Sequence, residues 1–98
     1  MGRSLLIRPE ARADLDEAYR WYEQQREGLG SDFLLCVEEA LEKIRRTPEL
    51  YPLVHKELRR MLIRRFPYGL FYLMEEEMIV LLAVFHARRD PKRWQSRA

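Results

Sequence analysis

Residues 70–86 read Leu70-Phe71-Tyr72-Leu73-Met74-Glu75-Glu76-Glu77-Met78-Ile79-Val80-Leu81-Leu82-Ala83-Val84-Phe85-His86. Two runs rich in aliphatic, aromatic and β-branched residues flank three glutamates, the pattern of two strands joined by an exposed, charged turn. The second run has no polar side chain from Met78 to Phe85. Neither of its faces suits water, so this strand belongs inside a sheet rather than at its rim. The glutamates of the turn also discourage pairing with another chain.

Immediately upstream, Leu58 to Phe66 supplies a third strand of the same meander, separated from the hairpin by Pro67-Tyr68-Gly69. It mixes Arg59, Arg60, Arg64 and Arg65 with Met61, Leu62 and Ile63, so part of it must face solvent or a charged partner. Pro48 to His55 reads as a proline-punctuated loop. Before that loop the apolar period becomes helical. Phe33, Val37, Ala40, Leu41 and Ile44 share one face of a helix that runs to about Arg46, with Ser31 or Asp32 as its expected cap. Arg45 and Arg46 suit the negative end of the helix dipole, and Thr47-Pro48 blocks continuation. Ala11, Leu15, Ala18, Tyr19 and Tyr22 form the same kind of stripe on an earlier helix, from Pro9 to Gln25, which Gly28 and Gly30 stop. Asp14, Asp16, Glu17, Arg20 and Glu23 cover the rest of that helix. Only about five residues join the two, which makes an antiparallel hairpin the natural geometry. Ser4 to Arg8, ending before Pro9, is a leading strand. The expected fold is α+β, in the order β-α-α-β-β-β, with the helical hairpin packed on a small antiparallel sheet and a single domain over residues 1–98.

Composition narrows the function classes. The chain of 98 residues is 47% hydrophobic and 35% charged, a balance that favours a folded domain over disorder. Its net charge of +2 hides an asymmetry: residues 1–50 carry 8 basic side chains against 11 acidic, and residues 51–98 carry 10 against 5. Met78 to Phe85 is far short of the roughly 20 apolar residues needed to cross a bilayer. The N-terminal apolar stretch is also too short for a secretory signal, so no membrane association and a cytoplasmic location are expected. The lone Cys36 has neither a disulfide partner nor a zinc-ligand pattern around it and reads as a small helix residue. No metal and no cofactor are expected.

Ala11-x-x-Asp14-Leu15-x-Glu17-Ala18-x-x-Trp21-Tyr22, then Pro48, the arginine-rich strand, Arg65-Phe66-Pro67-Tyr68 with Tyr72, and Ala83-Val84-Phe85-His86-x-Arg88-Arg89-Asp90-Pro91 occur in that order. From about Leu5 to Trp94 the chain resembles the RelE/ParE superfamily of toxins from bacterial type II toxin–antitoxin systems, also called plasmid-stabilisation proteins. The resemblance implies the β-α-α-β-β-β architecture, an ability to inhibit growth, and a cognate antitoxin, usually encoded alongside, whose C-terminal segment wraps the toxin. It implies one of two activities. ParE-like members poison DNA gyrase without nuclease chemistry, whereas RelE-like members cleave messenger RNA on the ribosome. Sequence-specific DNA binding usually belongs to the antitoxin of such pairs.

Metal-independent RNA cleavage needs a base for the 2′-hydroxyl, cations for the phosphate and an acid for the leaving oxygen. Arg60, Arg64, Arg65 and Arg88 are candidate phosphate ligands and His86 a candidate proton carrier, with Lys56 and Glu57 further possibilities. The blander readings are a solvated strand face for the arginines and a hydrogen-bonded strand end for His86. RelE-like nucleases commonly combine several lysines with arginines and a C-terminal tyrosine or histidine. This chain has only Lys43, Lys56 and Lys92, and Trp94 stands where a tyrosine is expected; an indole moves no proton at neutral pH. The balance favours a ParE-like, non-enzymatic toxin that uses Arg59, Arg60, Arg64, Arg65, Arg88, Arg89 and Trp94 as target or partner contacts. A ribonuclease is the alternative, and a non-toxic binding module the third reading.

Overall fold

The chain turns from strand to helix at Pro9, whose fixed φ and missing N–H suit the first helical position. The computed structural model describes residues 3–98. Strand β1 (Ser4–Ile7) leads into helix α1 (Pro9–Gln25) and helix α2 (Leu29–Arg46). The two apolar stripes are buried as their spacing requires: Ala11, Leu15, Ala18 and Tyr22 from α1, and Phe33, Val37, Ala40, Leu41 and Ile44 from α2. Tyr19 is only half-buried.

The helix junction departs from the expected capping. Neither Ser31 nor Asp32 caps α2, which begins at Leu29 with Gly28 before it in the left-handed region at φ 87°. The cap comes from the preceding helix. Glu23 accepts the N–H groups of Gly28 and Gly30, each at 2.9 Å. A long carboxylate from α1 thus satisfies two donors that a short serine or aspartate would otherwise serve. Gly30 is required for a different reason: a Cβ there would stand 2.7 Å from the Tyr19 carbonyl oxygen. The hairpin closes this tightly because nothing larger occupies that position.

Beyond α2, the segment expected as a loop contains a 3-10 turn, Pro48–Leu50, and an extra short strand, β2 (Leu53–His55). Strands β3 (Leu58–Leu62), β4 (Tyr68–Met74) and β5 (Met78–His86) follow. The five strands lie in the order β1-β5-β4-β3-β2. The sheet is mixed rather than purely antiparallel, since β1 runs parallel to β5. The apolar β5 is internal, as its sequence demands. The arginine-rich strand stops at Leu62, earlier than Phe66, so Arg64 and Arg65 lie on a bend, while Tyr68 and Gly69 belong to β4. The reason is local: Ile63 N–H donates to the Tyr68 carbonyl at 2.9 Å, and the chain reverses between them.

The sheet carries apolar residues on both faces. Leu70, Tyr72, Ile79, Leu81 and Val84 pack under the helices. Tyr22, Phe33, Phe66 and Tyr68 form an aromatic knot there, with ring centroids 4.8–6.0 Å apart. On the other face, Leu58, Phe71, Val80, Leu82 and Phe85 are closed over by Trp94 from a short helix, α3 (Pro91–Gln95). The Trp94 ring stacks on Phe71 at 4.4 Å. Asp90 caps α3 by accepting the Lys92 N–H at 3.0 Å. This last helix was not legible as one, being a single turn held by its tryptophan.

Gly30→Ala is expected to destabilise the fold by about 1–3 kcal/mol through overpacking at the hairpin, measured by urea unfolding. Tyr72 is fully buried, donates its hydroxyl to the Pro48 carbonyl at 2.6 Å, and burial pushes its pKa up to about 12. A raised tyrosine pKa favours the protonated folded state, so its contribution is complete below the unfolded value near 10 and is lost as pH rises through about 12. The wild type should lose more stability than Tyr72→Phe over that window.

Candidate functional site

Three strand ends meet at one end of the sheet: β3 leaves at Leu62, β4 enters at Tyr68 and β5 leaves at His86. Tyr68 pairs with His86, and the Ala87 N–H donates to the Pro67 carbonyl at 2.7 Å. The bend carrying Arg64 and Arg65 is thereby tied to the turn carrying Arg88 and Arg89. Four of the arginines singled out from the sequence share one rim with His86. Lys56 and Glu57 do not; they form the turn at the opposite end of β3, where Lys56 has a φ of 52°.

The rim arginines divide by their contacts. Arg65 lies 3.1 Å from the Asp32 carboxylate and 5.2 Å from the centre of the Phe66 ring. Arg89 reaches Glu17 at 3.6 Å and stands 5.3 Å from the centre of the Phe85 ring. Arg64 and Arg88 are exposed and have no acidic partner among the described residues. Arg59 is a strap: it shares the helix-side face with Tyr72 and donates to the carbonyls of Tyr51 at 2.7 Å and Glu49 at 3.3 Å. Arg60 projects from the opposite face, beside Phe71, with its stem running over Gly69; a Cβ at Gly69 would come within 3.2 Å of it.

His86 sits on the helix side, 5.4 Å from the Tyr68 ring. Its Nδ1 accepts the Arg88 backbone N–H at 3.0 Å, so in the neutral ring the proton is assigned to Nε2. The sheet therefore stands between His86 and Arg60. Trp94, expected as a partner contact, is buried by its stacking on Phe71 and offers little surface to a partner.

A groove of about 660 Å³ opens between α1 and the rim, walled by Asp14, Glu17, Trp21, Tyr68, His86 and Arg89. Trp21 is 55% exposed and packs its edge against Tyr22 at 5.1 Å, so it belongs to the groove wall rather than the core. Burial raises the Tyr68 pKa, with Tyr22 adding to the shift and Arg89 opposing it, which keeps the phenol protonated at neutral pH. A second groove, of about 560 Å³, separates α2 from the end of β3 and is bordered by Cys36, Lys43, Arg60, Arg64 and Arg65. No group of three or more potential metal-binding side chains occurs among the described residues.

The residue that fixes the first groove is one that sequence reasoning left on the solvent face. β1 last pairs with β5 at Leu81, and β5 carries a bulge just beyond, where Phe71 pairs with Ala83 but Tyr72 with Leu81. Asp14 accepts the Val84 N–H at 2.9 Å, and Arg97 donates to the Leu82 carbonyl at 3.0 Å. The two are joined by a bidentate ion pair at 2.7 and 3.2 Å. A signal for Asp14 was present: it lies three residues after Ala11 and four before Ala18, within the apolar stripe. Arg97 had none.

Comparison with known proteins decides the family. The profile of the family described as ParE toxin of type II toxin-antitoxin system, parDE, matches residues 5–91. The chain belongs to the ParE toxin family. The fold of this ParE-family toxin is similar to that of a chain from a chromosomal ParDE toxin–antitoxin system of P. aeruginosa. The TM-score is 0.77 at 18% identity, over 86% of this chain and 95% of that one. It is also similar to a chain of the toxin–antitoxin complex RelBE2 of Mycobacterium tuberculosis. There the TM-score is 0.61 at 20% identity, over 88% of this chain and 99% of the other. No curated protein sequence matches. Trp94 and Arg97, which close the far face and the bulge, lie beyond the span of the family match.

Asp14→Ala and Arg97→Ala should each lower the unfolding free energy by about 2–3 kcal/mol, since either leaves a partly buried charge and a strand group unpaired. The double variant should cost little more than the worse single one, read from a double-mutant cycle in urea.

Proposed function

We propose that this ParE-family toxin arrests growth by binding DNA gyrase, that it does so without cleaving RNA, and that a cognate antitoxin neutralises it. The arrangement of His86 and the arginines carries this reading. A general base needs a free acceptor nitrogen beside the cations that hold the phosphate. His86 has Nδ1 engaged by the Arg88 N–H, and Arg60 projects from the other face of the sheet. Tyr68 and Tyr72 offer no substitute base, because Tyr72 is buried with its pKa pushed up to about 12 and Tyr68 is also raised by burial. The family match supports the toxin–antitoxin part of this reading.

The rim then works as a contact surface. Arg64 and Arg88 are exposed and free of acidic partners among the described residues, and the exposed indole of Trp21 stands in the wall of the groove that His86 and Arg89 also line. Exposed Arg and Trp side chains are the types that anchor protein interfaces. No helix among the described residues is long and apolar enough to cross a membrane. A cytoplasmic site of action accords with a target handled inside the cell.

A ribosome-dependent nuclease remains the competing reading because His86, Arg64 and Arg88 do share one rim. Purified toxin is expected to inhibit gyrase supercoiling or to trap cleaved DNA, and normal gyrase activity at high toxin excess would reject the proposal. Translating ribosomes supplied with the toxin should yield no discrete messenger cuts. His86→Ala should retain growth arrest, whereas Arg64→Ala with Arg88→Ala should weaken gyrase inhibition about tenfold or more.

A further inference from the structure

β1 forms one edge of the sheet, with β5 on its inner side and no strand among the described residues on its outer side. Successive residues of a strand direct their backbone groups to alternate sides. The N–H groups of Ser4 and Arg8 donate to the Glu77 and Leu81 carbonyls, each at 3.0 Å, so Ser4, Leu6 and Arg8 are turned to β5. Leu5 and Ile7 are turned outward, and neither the donor nor the acceptor of either has a partner among the described residues. Arg3 is already engaged: its N–H donates to the Arg45 carbonyl at 3.3 Å, and its carbonyl accepts from Arg45 Nε at 2.7 Å. Pro9, at the other end, has no N–H to offer. The open edge is therefore Leu5 and Ile7 alone. Their side chains pack against the helix-side core, which leaves Leu6 on the opposite face, 47% exposed.

We propose that a second copy of this chain completes the edge: two β1 strands pair antiparallel about a twofold axis through Leu6, joining two five-stranded sheets into one. In an antiparallel pair, two facing residues whose backbone groups are turned to each other exchange both hydrogen bonds. Leu5 set against Ile7 of the second copy, with Ile7 against its Leu5, uses every open group on both strands. Leu6 then meets its own counterpart in the close, non-hydrogen-bonded pair on the axis, where exposed apolar surface is removed from water. Arg8, exposed and without an acidic partner among the described residues, falls opposite Ser4. Ser4 is held by the Glu77 carbonyl, so this cation comes to the side of the other copy's acidic turn, Glu75-Glu76-Glu77. Because the paired strands are antiparallel, the two arginine rims point to opposite ends of the joined sheet.

Register favours this occupant. Sliding one strand by two residues in one direction sets Ile7 against Arg3, whose groups Arg45 already holds; in the other it sets Leu5 against Pro9, which has no donor. A slip by one residue opposes outward-turned residues with residues turned to β5. One register alone satisfies the whole edge, and it is symmetric, as the self-complementary contact of a twofold dimer requires. It also sets no two like charges directly opposite each other, an arrangement that would disfavour pairing. A nucleic-acid strand would answer Arg8, but phosphates only accept hydrogen bonds and would leave the Leu5 and Ile7 carbonyls unpaired.

Sedimentation velocity on the full chain from about 1 to 100 µM tests this, since so small a contact corresponds to roughly micromolar affinity. The wild type should pass from monomer to dimer over that range. Between its two ends the Leu5 and Ile7 amides should slow in exchange by about tenfold, while Leu6, already turned to β5, changes little. Leu6→Lys and Leu6→Glu each set like charges across the axis at an exposed position, so each variant alone should stay monomeric. An equal mixture of the two should dimerise, because opposite charges then meet there. A wild-type chain that stays monomeric at the highest concentration overturns the proposal, even where a short peptide alternating valine and serine protects Leu5 and Ile7; that protection would give the edge to a strand of another protein. A dimer that persists unchanged in Leu6→Lys, or a mixture that stays monomeric, overturns the pairing about Leu6.

Discussion

A single carboxylate on α1 holds the end of the internal strand β5. β1 is too short to cover β5 beyond Leu81, and a bulge follows where the ladder would otherwise run on. Buried strand groups left without partners cost about 1–3 kcal/mol each. Asp14 takes the Val84 N–H and Arg97 takes the Leu82 carbonyl, and their ion pair locks the two together. Arg97 also stands 4.6 Å from the centre of the Phe85 ring, so the chain terminus is pinned against the same strand. This clasp joins three things distant in sequence: the first helix, the end of β5 and the last turn of the chain. The groove beside Trp21 and the position of His86 depend on it.

The charge division seen in the sequence acquires a geometry. The acidic first half forms the helical hairpin, and the basic second half supplies the rim at the end of the sheet. The two halves are partly neutralised where they touch, through Asp32 with Arg65, Glu17 with Arg89 and Asp14 with Arg97. Of the arginines singled out from the sequence, Arg60, Arg64 and Arg88 have neither an acidic partner nor a side-chain hydrogen bond among the described residues, on exposed or half-exposed positions. Exposed ion pairs such as Arg65 with Asp32 contribute little to stability, so the rim arginines are better understood through what they contact than through what they stabilise.

Periodicity made the helices and three main strands legible because burying one face of each imposes a repeat on the sequence. The run Met78 to Phe85 announced an internal strand for the same reason. The errors fall where no repeat exists. β2 is too short to show alternation, and α3 is a single turn held by the stacking of Trp94 on Phe71. The cap of α2 comes from Glu23, a residue of the preceding helix, where a local rule looks for Ser31 or Asp32. Arg64 and Arg65 were placed on a strand because their neighbours are apolar, although the chain reverses between Ile63 and Tyr68.

By itself the sequence determined the class of fold, the order of its principal elements and, through the residues from Leu5 to Trp94 taken together, the superfamily. Those features follow from hydrophobic spacing and turn chemistry, which act over a few residues at a time. Only the tertiary structure decided which arginines are free, that Arg60 and His86 lie across the sheet from one another, and that Trp94 serves the core. Face and partnership depend on strand register, on the bulge in β5 and on contacts between residues as far apart as Asp14 and Arg97. No local pattern in a chain encodes those relations.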